Sequence, residues 1–310
     1  MGVWLAFECV VLAVVVGIGA AVSPHFLTRV AFEGMLPSFL ILGLMAPAMV
    51  MIVASGGMDL SVGAVAALVG VVTAALEPTV GLGVALAVGL AAALAVGVVN
   101  AVLVGLARVH GAIATLGMMA ALRGLARLLS DGRQISVEES PLLALLESQW
   151  PFWIVLGVVA LGCAVLVHCT PFGRRPAPGA AEQQEGTLAR AVFVGGPYVL
   201  SSLMAGLAGA VFLSRFRMGS PTTAVGWELE VLLAVILGGT CLGGRCGSVL
   251  GALIGVVIVA LLHLLLTLAG ASEAWARLAV GTGLVLFVLL GRLHYFVVGR
   301  LYRSSRAGGS

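Results

Sequence analysis

Asp59 stands in the stretch Ser55-Gly56-Gly57-Met58-Asp59-Leu60-Ser61-Val62-Gly63, between two apolar runs. A carboxylate at membrane depth costs at least about 2.5–3.5 kcal/mol on insertion scales, so it has a partner or lines a cavity. Two roles fit. Its oxygens can accept backbone N–H groups between Ser61 and Gly63 and start the next helix, a reading favoured by the glycines before it; or it can touch a solute. Asn100, Thr115, Arg123, Glu228 and Glu230 raise the same question. Arg123 and Arg127, four apart on one helix face, are placed to snorkel to a membrane surface. Glu228 and Glu230 precede a short apolar segment, where acids suit a helix N-terminus. Gly238-Gly239-Thr240 then closes that segment as a helix break would. The candidates for a solute pathway or its gate are thus Gly57, Asp59, Ser61, Asn100, Thr115, Glu228, Glu230, Gly238, Gly239 and Thr240, each with capping or anchoring as its alternative duty.

Missing residue types narrow the chemistry. All 16 basic residues are arginine. A nucleotide-binding G-x-x-x-x-G-K-[ST] loop needs its lysine to reach the β- and γ-phosphates, and the sequence contains none. Its nearest approach, Gly239 to Cys246, puts Arg245 and Cys246 where lysine and Ser/Thr belong and reads as a glycine-rich membrane turn. Lysine Schiff-base and general-base chemistry are excluded on the same ground. Any ATP-driven step falls to another subunit. The five cysteines include no C-x-x-C pair and the five histidines are scattered, so no metal site is expected, and His168 and His263 read as core residues. An intramembrane enzyme would need paired ionisable groups within the spans; Asp59 and Glu8 are the strong internal acids, and no histidine shares the segment of Asp59. An ion channel or ion-coupled transporter would carry repeated intramembrane charges, which are lacking.

These side chains need elements to hold them. Of 310 residues, 61% are apolar and 9% charged, with mean hydropathy +1.18; soluble domains run at about 45–50% and about 25%. At roughly 20 residues per span, the chain holds about ten. The expected fold is all-α: a polytopic helical membrane protein forming a single transmembrane domain over residues 1–310. Spans are expected at 4–22, 37–55, 62–76, 81–106, 112–129, 152–169, 191–213, 229–240, 248–270 and 275–294. The segments 62–76 and 229–240 are shorter than about 17 residues and read as broken or re-entrant helices, the places where polar backbone can face a pathway. Gly247, Gly251 and Gly255, four apart, line one helix face for close packing. Residues 1–22 read as a retained first span, since no positive segment precedes them and Glu8 sits inside the run.

Two hydrophilic stretches remain, 130–151 and 170–190. On ten spans with a cytoplasmic N-terminus, the first lies outside and the second inside. The arginines of 170–190 and of the tail after residue 291 supply a small inward excess of positive charge; Arg29, beside a first span without a basic flank, argues the other way.

Gly57-Met58-Asp59-Leu60-Ser61-Val62-Gly63 resembles the G-I-D-L-S-V-G signature of ribose/xylose-type ABC importer permeases, of the branched-chain amino acid/sugar permease family. The resemblance continues in order along almost the whole chain. Ala114-Thr115-Leu116-Gly117 and Leu122-Arg123-Gly124-Leu125-Ala126 are similar to A-T-L-G and L-R-G-L-A. Pro221-Thr222 with Gly226-Trp227-Glu228-Leu229-Glu230 is similar to P-T…G-Y-E-L-D. Gly238-Gly239-Thr240-Cys241-Leu242 and Gly247-Ser248-Val249-Leu250-Gly251 match the G-G-T-S-L and G-S-V-x-G blocks.

This resemblance implies a permease of the bacterial inner membrane that pairs with itself or a sister permease. Two ATPase subunits would dock on its inner face and an extracytoplasmic solute-binding protein on its outer face; membrane lipid surrounds it and nucleic acid plays no part. ATP and magnesium would belong to the ATPase, with no cofactor on this chain. The solute implied is small and polar, most often a monosaccharide, while family relatives also carry nucleosides and flavins such as riboflavin. Thr170-Pro171-Phe172-Gly173-Arg174 resembles the start of the loop that meets the ATPase, so Phe172, Gly173, Arg174, Glu182 and Glu185 are the implied coupling residues. The G-x-N-x-x-A-A-R-x-x-G stretch that should follow is degraded here, which suggests a divergent member, one half of a heterodimer being one form of this.

Overall fold

The computed structural model describes residues 2–169, 190–241, 247–272, 274–287 and 289. Among the described residues ten α-helices follow in chain order: α1 Gly2–Val22, α2 Arg29–Ala54, α3 Val62–Ala101, α4 Gly111–Leu129, α5 Pro141–Glu147, α6 Trp150–Cys169, α7 Gly196–Phe216, α8 Trp227–Leu237, α9 Val249–Leu268 and α10 Ala274–Phe287. A π-helical turn, Val102–Leu106, ends α3, and another, Ala191–Gly195, leads into α7. Two short strands, β1 Ile135–Ser136 and β2 Met218–Gly219, pair antiparallel, with Ile135 opposite Gly219.

Among the described residues, 6 helices are long and apolar enough to cross a membrane, and α1 and α10 are shorter apolar helices. Large apolar side chains are exposed along many of the helices. On α6, Ile154, Val158, Leu161 and Val165 repeat at helical spacing and all are exposed. A soluble protein would not present such a stripe; in a bilayer it meets lipid tails.

The second span begins earlier than expected, at Arg29 rather than residue 37. Thr28 caps it, its Oγ1 accepting from Ala31 N at 3.3 Å, and Arg29 pairs with Glu33 at 2.6 Å one turn on. These polar residues fit the end of a long helix whose inner turns, from Leu40 to Val53, are buried almost without interruption. α2 is the central post, with α6, α7, α8 and α9 packed around it.

Helix α3 counts 40 residues. A straight helix of that length would run about 60 Å, twice the roughly 30 Å hydrocarbon core. It folds back instead. Gly81 takes φ 76°, ψ 157°, a conformation open to glycine, and the arms on either side pack together. A Cβ on Gly89 would lie 2.8 Å from Thr73 Oγ1 and 3.2 Å from Val69 Cγ1. The two-segment reading therefore holds, but the first arm runs through Glu77 and Pro78 to the turn rather than stopping at 76.

Helices α8 and α9 form a second antiparallel pair. A Cβ on Gly255 would overlap the Ala234 carbonyl oxygen, and one on Gly251 the Gly238 carbonyl oxygen. The glycine spacing read from sequence thus brings two backbones into contact. Gly247 meets the end of α2 instead, where a Cβ would lie 3.0 Å from Val50 Cγ1 and 3.2 Å from Ala54 Cβ. Gly247 thus lies beside the end of α2, from which the interruption at 55–61 follows.

Candidate functional site

Residues 55–61 interrupt two membrane helices, and their polar groups are met from three sides. Asp59 is fully buried. Its Oδ1 accepts from Ser61 N at 2.9 Å and Ser61 Oγ at 2.6 Å, and its Oδ2 accepts from Ser201 Oγ on α7 at 2.8 Å. Asn100 Nδ2, on the return arm of α3, donates to Ser61 Oγ at 3.1 Å. From α4, Thr115 Oγ1 accepts from Leu60 N at 3.0 Å and donates to Gly111 O at 2.8 Å. Tyr198 OH donates to Met58 O at 3.3 Å.

Asp59, Ser61, Asn100 and Thr115, far apart in sequence, thus form one buried node. Asp59 closes a turn on the N–H of Ser61, the residue before α3, and accepts no N–H of the helix itself, so the expected run to Gly63 is met only at its first residue. Its protein donors are hydroxyls and an amide, which stabilise a buried carboxylate without a second charge. Gly57 makes room for the Tyr198 phenol: a Cβ there would lie 2.5 Å from Tyr198 OH, and one on Gly111 would clash with the same oxygen. All four node side chains are 0% exposed, so in this conformation they fix the break from inside.

A second cluster gathers two turns further along α4. Arg123 was expected to snorkel outward with Arg127; instead it turns inward while Arg127 stays exposed. Its Nη1 donates to the carbonyls of Pro221 and Thr223, and its Nη2 donates to Ala224 O at 2.8 Å. Backbone carbonyls outbid the surface because the loop before α8 dips against the first turn of α3. A Cβ on Gly63 would overlap Ala224 O and lie 2.5 Å from Glu228 Oε2. Glu228 Oε1 accepts from Gly226 N at 3.2 Å, the helix-start duty read from sequence.

Glu230 faces elsewhere, its Oε1 lying 3.5 Å from His263 Nε2 on α9. Gly238 ends α8 in backbone contact with α9, Gly239 follows at φ 77°, and Thr240 is buried with Oγ1 accepting from Ser248 N at 3.5 Å. Phe172, Gly173, Arg174, Glu182 and Glu185 lie outside the described residues. Nearby, Arg190 Nε donates to Gly105 O at 3.2 Å, joining the two π-helical turns. At the opposite end, Arg217 pairs with Glu147 at 2.7 Å and with Glu139; the hydrogen bonds it donates to Glu147 and then Glu139 hold its guanidinium well above the ordinary range. This binds α5 to the end of α7, just ahead of β2.

Tyr198 and Ser201 escaped the sequence reading. A serine pair in an apolar helix is a packing signal, and only the fold shows that Ser201 meets Asp59.

Interrupted helices with buried polar breaks, wrapped in an apolar surface, define a multi-pass membrane protein of the transporter class. Comparison with known proteins narrows this. Residues 191–289 match the family model described as branched-chain amino acid transport system / permease component. The ribose import permease protein RbsC of Escherichia coli K12 is 33% identical over 295 residues, 91% of each chain. RbsC of Bacillus subtilis 168 is 34% identical, covering 91% of this chain and 90% of its own. The L-arabinose transport system permease protein AraH of E. coli K12 is 32% identical over 83% of this chain and 81% of its own. The chain belongs to this family of ABC importer permeases, proteins of the bacterial inner membrane. No solved structure matches it.

Proposed function

We propose that this chain is the membrane-spanning subunit of a binding-protein-dependent importer that carries a monosaccharide into the cell. The carrying observation is that relatives named for ribose and arabinose transport align over 81–91% of their own lengths, through both helix interruptions. Two copies, or this chain with a sister permease, would enclose the pathway. ATPase subunits would sit at the end that holds Arg190 and the π-helical turns, bringing ATP and magnesium with them. The binding protein would sit at the end that holds α5, β1 and β2. This chain needs no cofactor and makes no covalent step. Its work is to hold polar backbone at the breaks, offer weak hydrogen bonds to a hydrated solute, and change shape when the ATPase does. Weak contacts suit it because affinity resides in the binding protein.

The test is uptake of labelled ribose, arabinose and xylose by proteoliposomes containing this chain, its neighbouring ATPase and its binding protein. ATP-dependent uptake of one of them is expected. Uptake of a nucleoside or riboflavin alone would replace the solute class, and full uptake without any ATPase would overturn the importer reading.

A further inference from the structure

The segment 220–226 is held in an unusual way. Within it the backbone makes one bond to itself, Thr223 N to Ser220 O at 3.2 Å. Side chains do part of the remaining work: Ser220 Oγ lies 3.0 Å from Thr222 Oγ1 and accepts from Thr222 N at 3.3 Å. Ala224 adopts φ 60°, a left-handed conformation that costs a residue with a Cβ, and Gly226 follows at φ 97°. The carbonyls of Pro221, Thr223 and Ala224 all turn to the one guanidinium of Arg123. Strain of this kind persists only where surroundings impose it, and here three carbonyls of the segment converge on one side chain of another helix.

Beside that guanidinium lies a carboxylate oxygen left out. Glu228 Oε2 is buried and has no hydrogen-bond partner. A guanidinium and a carboxylate at close quarters pair strongly when they can, in a two-pronged geometry. Arg123 does not complete that pair: Nη1 gives both of its N–H groups to carbonyls and Nη2 one of its two, which fixes the planar guanidinium short of Glu228 Oε2. Two arrangements therefore compete for one cation: the carbonyl cradle seen here, and a direct pair with Glu228 that would free the cradle.

We propose that Arg123 is a two-position latch, exchanging its guanidinium between the 221–224 carbonyls and Glu228 Oε2, and that this exchange releases the segment leading into α8. Gly63 belongs to the device, because any side chain there would fill the space between Ala224 O and Glu228. The latch lies two turns along α4 from Thr115, which secures the Asp59 node, so one helix fastens both the fixed break and the movable segment. The inference stands on this chain alone, whichever solute the importer carries.

Hydrogen exchange on the full chain in lipid nanodiscs tests it, read on peptides covering 219–230. Arg123→Gln removes the cradle cation and should speed exchange there by about tenfold or more, the size of response expected when a local opening loses one strong contact. Arg123→Lys, with one ammonium for three carbonyls, should fall between. Glu228→Gln is decisive. It removes the rival site, so the latch predicts slower exchange over 219–230, whereas a purely static role predicts faster exchange from a damaged helix start. Faster or unchanged exchange in Glu228→Gln would overturn the proposal, and this arm remains readable even if Arg123→Gln fails to fold.

Discussion

Ser201 Oγ donates to Asp59 Oδ2 at 2.8 Å across 142 residues of sequence. That bond joins the interruption after α2 to the second turn of α7, and with Asn100 and Thr115 it makes the break a rigid junction.

Removing the acceptor should therefore hurt more than changing its charge. Asp59→Ala leaves the Ser201 hydroxyl and the Ser61 amide without their partner, and each stranded buried group costs about 1–3 kcal/mol. Asp59→Asn keeps one acceptor oxygen and should lose less. Thermal unfolding of the purified chain in detergent would rank them. Equal and complete loss of transport by both, with folding intact, would show that the charge itself is required.

Gly255 should tolerate nothing larger. A Cβ there overlaps the Ala234 carbonyl oxygen, so Gly255→Ala is expected to cost about 1–3 kcal/mol by overpacking. Gly117 is the matched control: nothing lies within 4 Å of its would-be Cβ, and alanine there should be neutral or stabilising by up to about 1 kcal/mol. Paired melting curves check both.

Gly81 should be irreplaceable for a different reason. Space is open around it, but φ 76°, ψ 157° is a conformation that side chains resist. Gly81→Ala should cost about 1–3 kcal/mol and loosen the arms of α3, read as faster exchange near Thr73 and Gly89. An unchanged exchange pattern would mean that the turn accommodates a side chain.

Substitutions across Pro171–Arg175 or Glu182–Glu185 should weaken capture of the ATPase while membrane insertion stays normal. Co-purification with the ATPase measures this, and undiminished capture would relocate the docking site.

Most of the architecture was legible beforehand because hydrocarbon tolerates so few sequences. Runs of apolar residues marked the spans, short runs marked the breaks, and the glycines at 247, 251 and 255 marked a close helix contact. Boundaries were less legible where charge sat on a helix: Arg29 and Glu33 satisfy each other, so α2 continues past them. Asp59, Ser61, Asn100 and Thr115 could be named one by one as costly polar residues. Nothing in their spacing announced that they touch.

The sequence by itself determined that this chain lives in a bilayer, that it cannot grip nucleotide phosphates with a lysine, and that its helices are broken at glycine-rich, polar points. These follow from composition and local pattern, which act over a few residues. Tertiary structure alone decided that Asp59 is met by Ser201, that Arg123 turns inward to three carbonyls, and that Glu228 and Glu230 part company two residues from each other. A hydrogen bond depends on where two atoms stand to within fractions of an ångström, and that position is set by the packing of α7 and α8 against α2 and of α3 against α4 and α7.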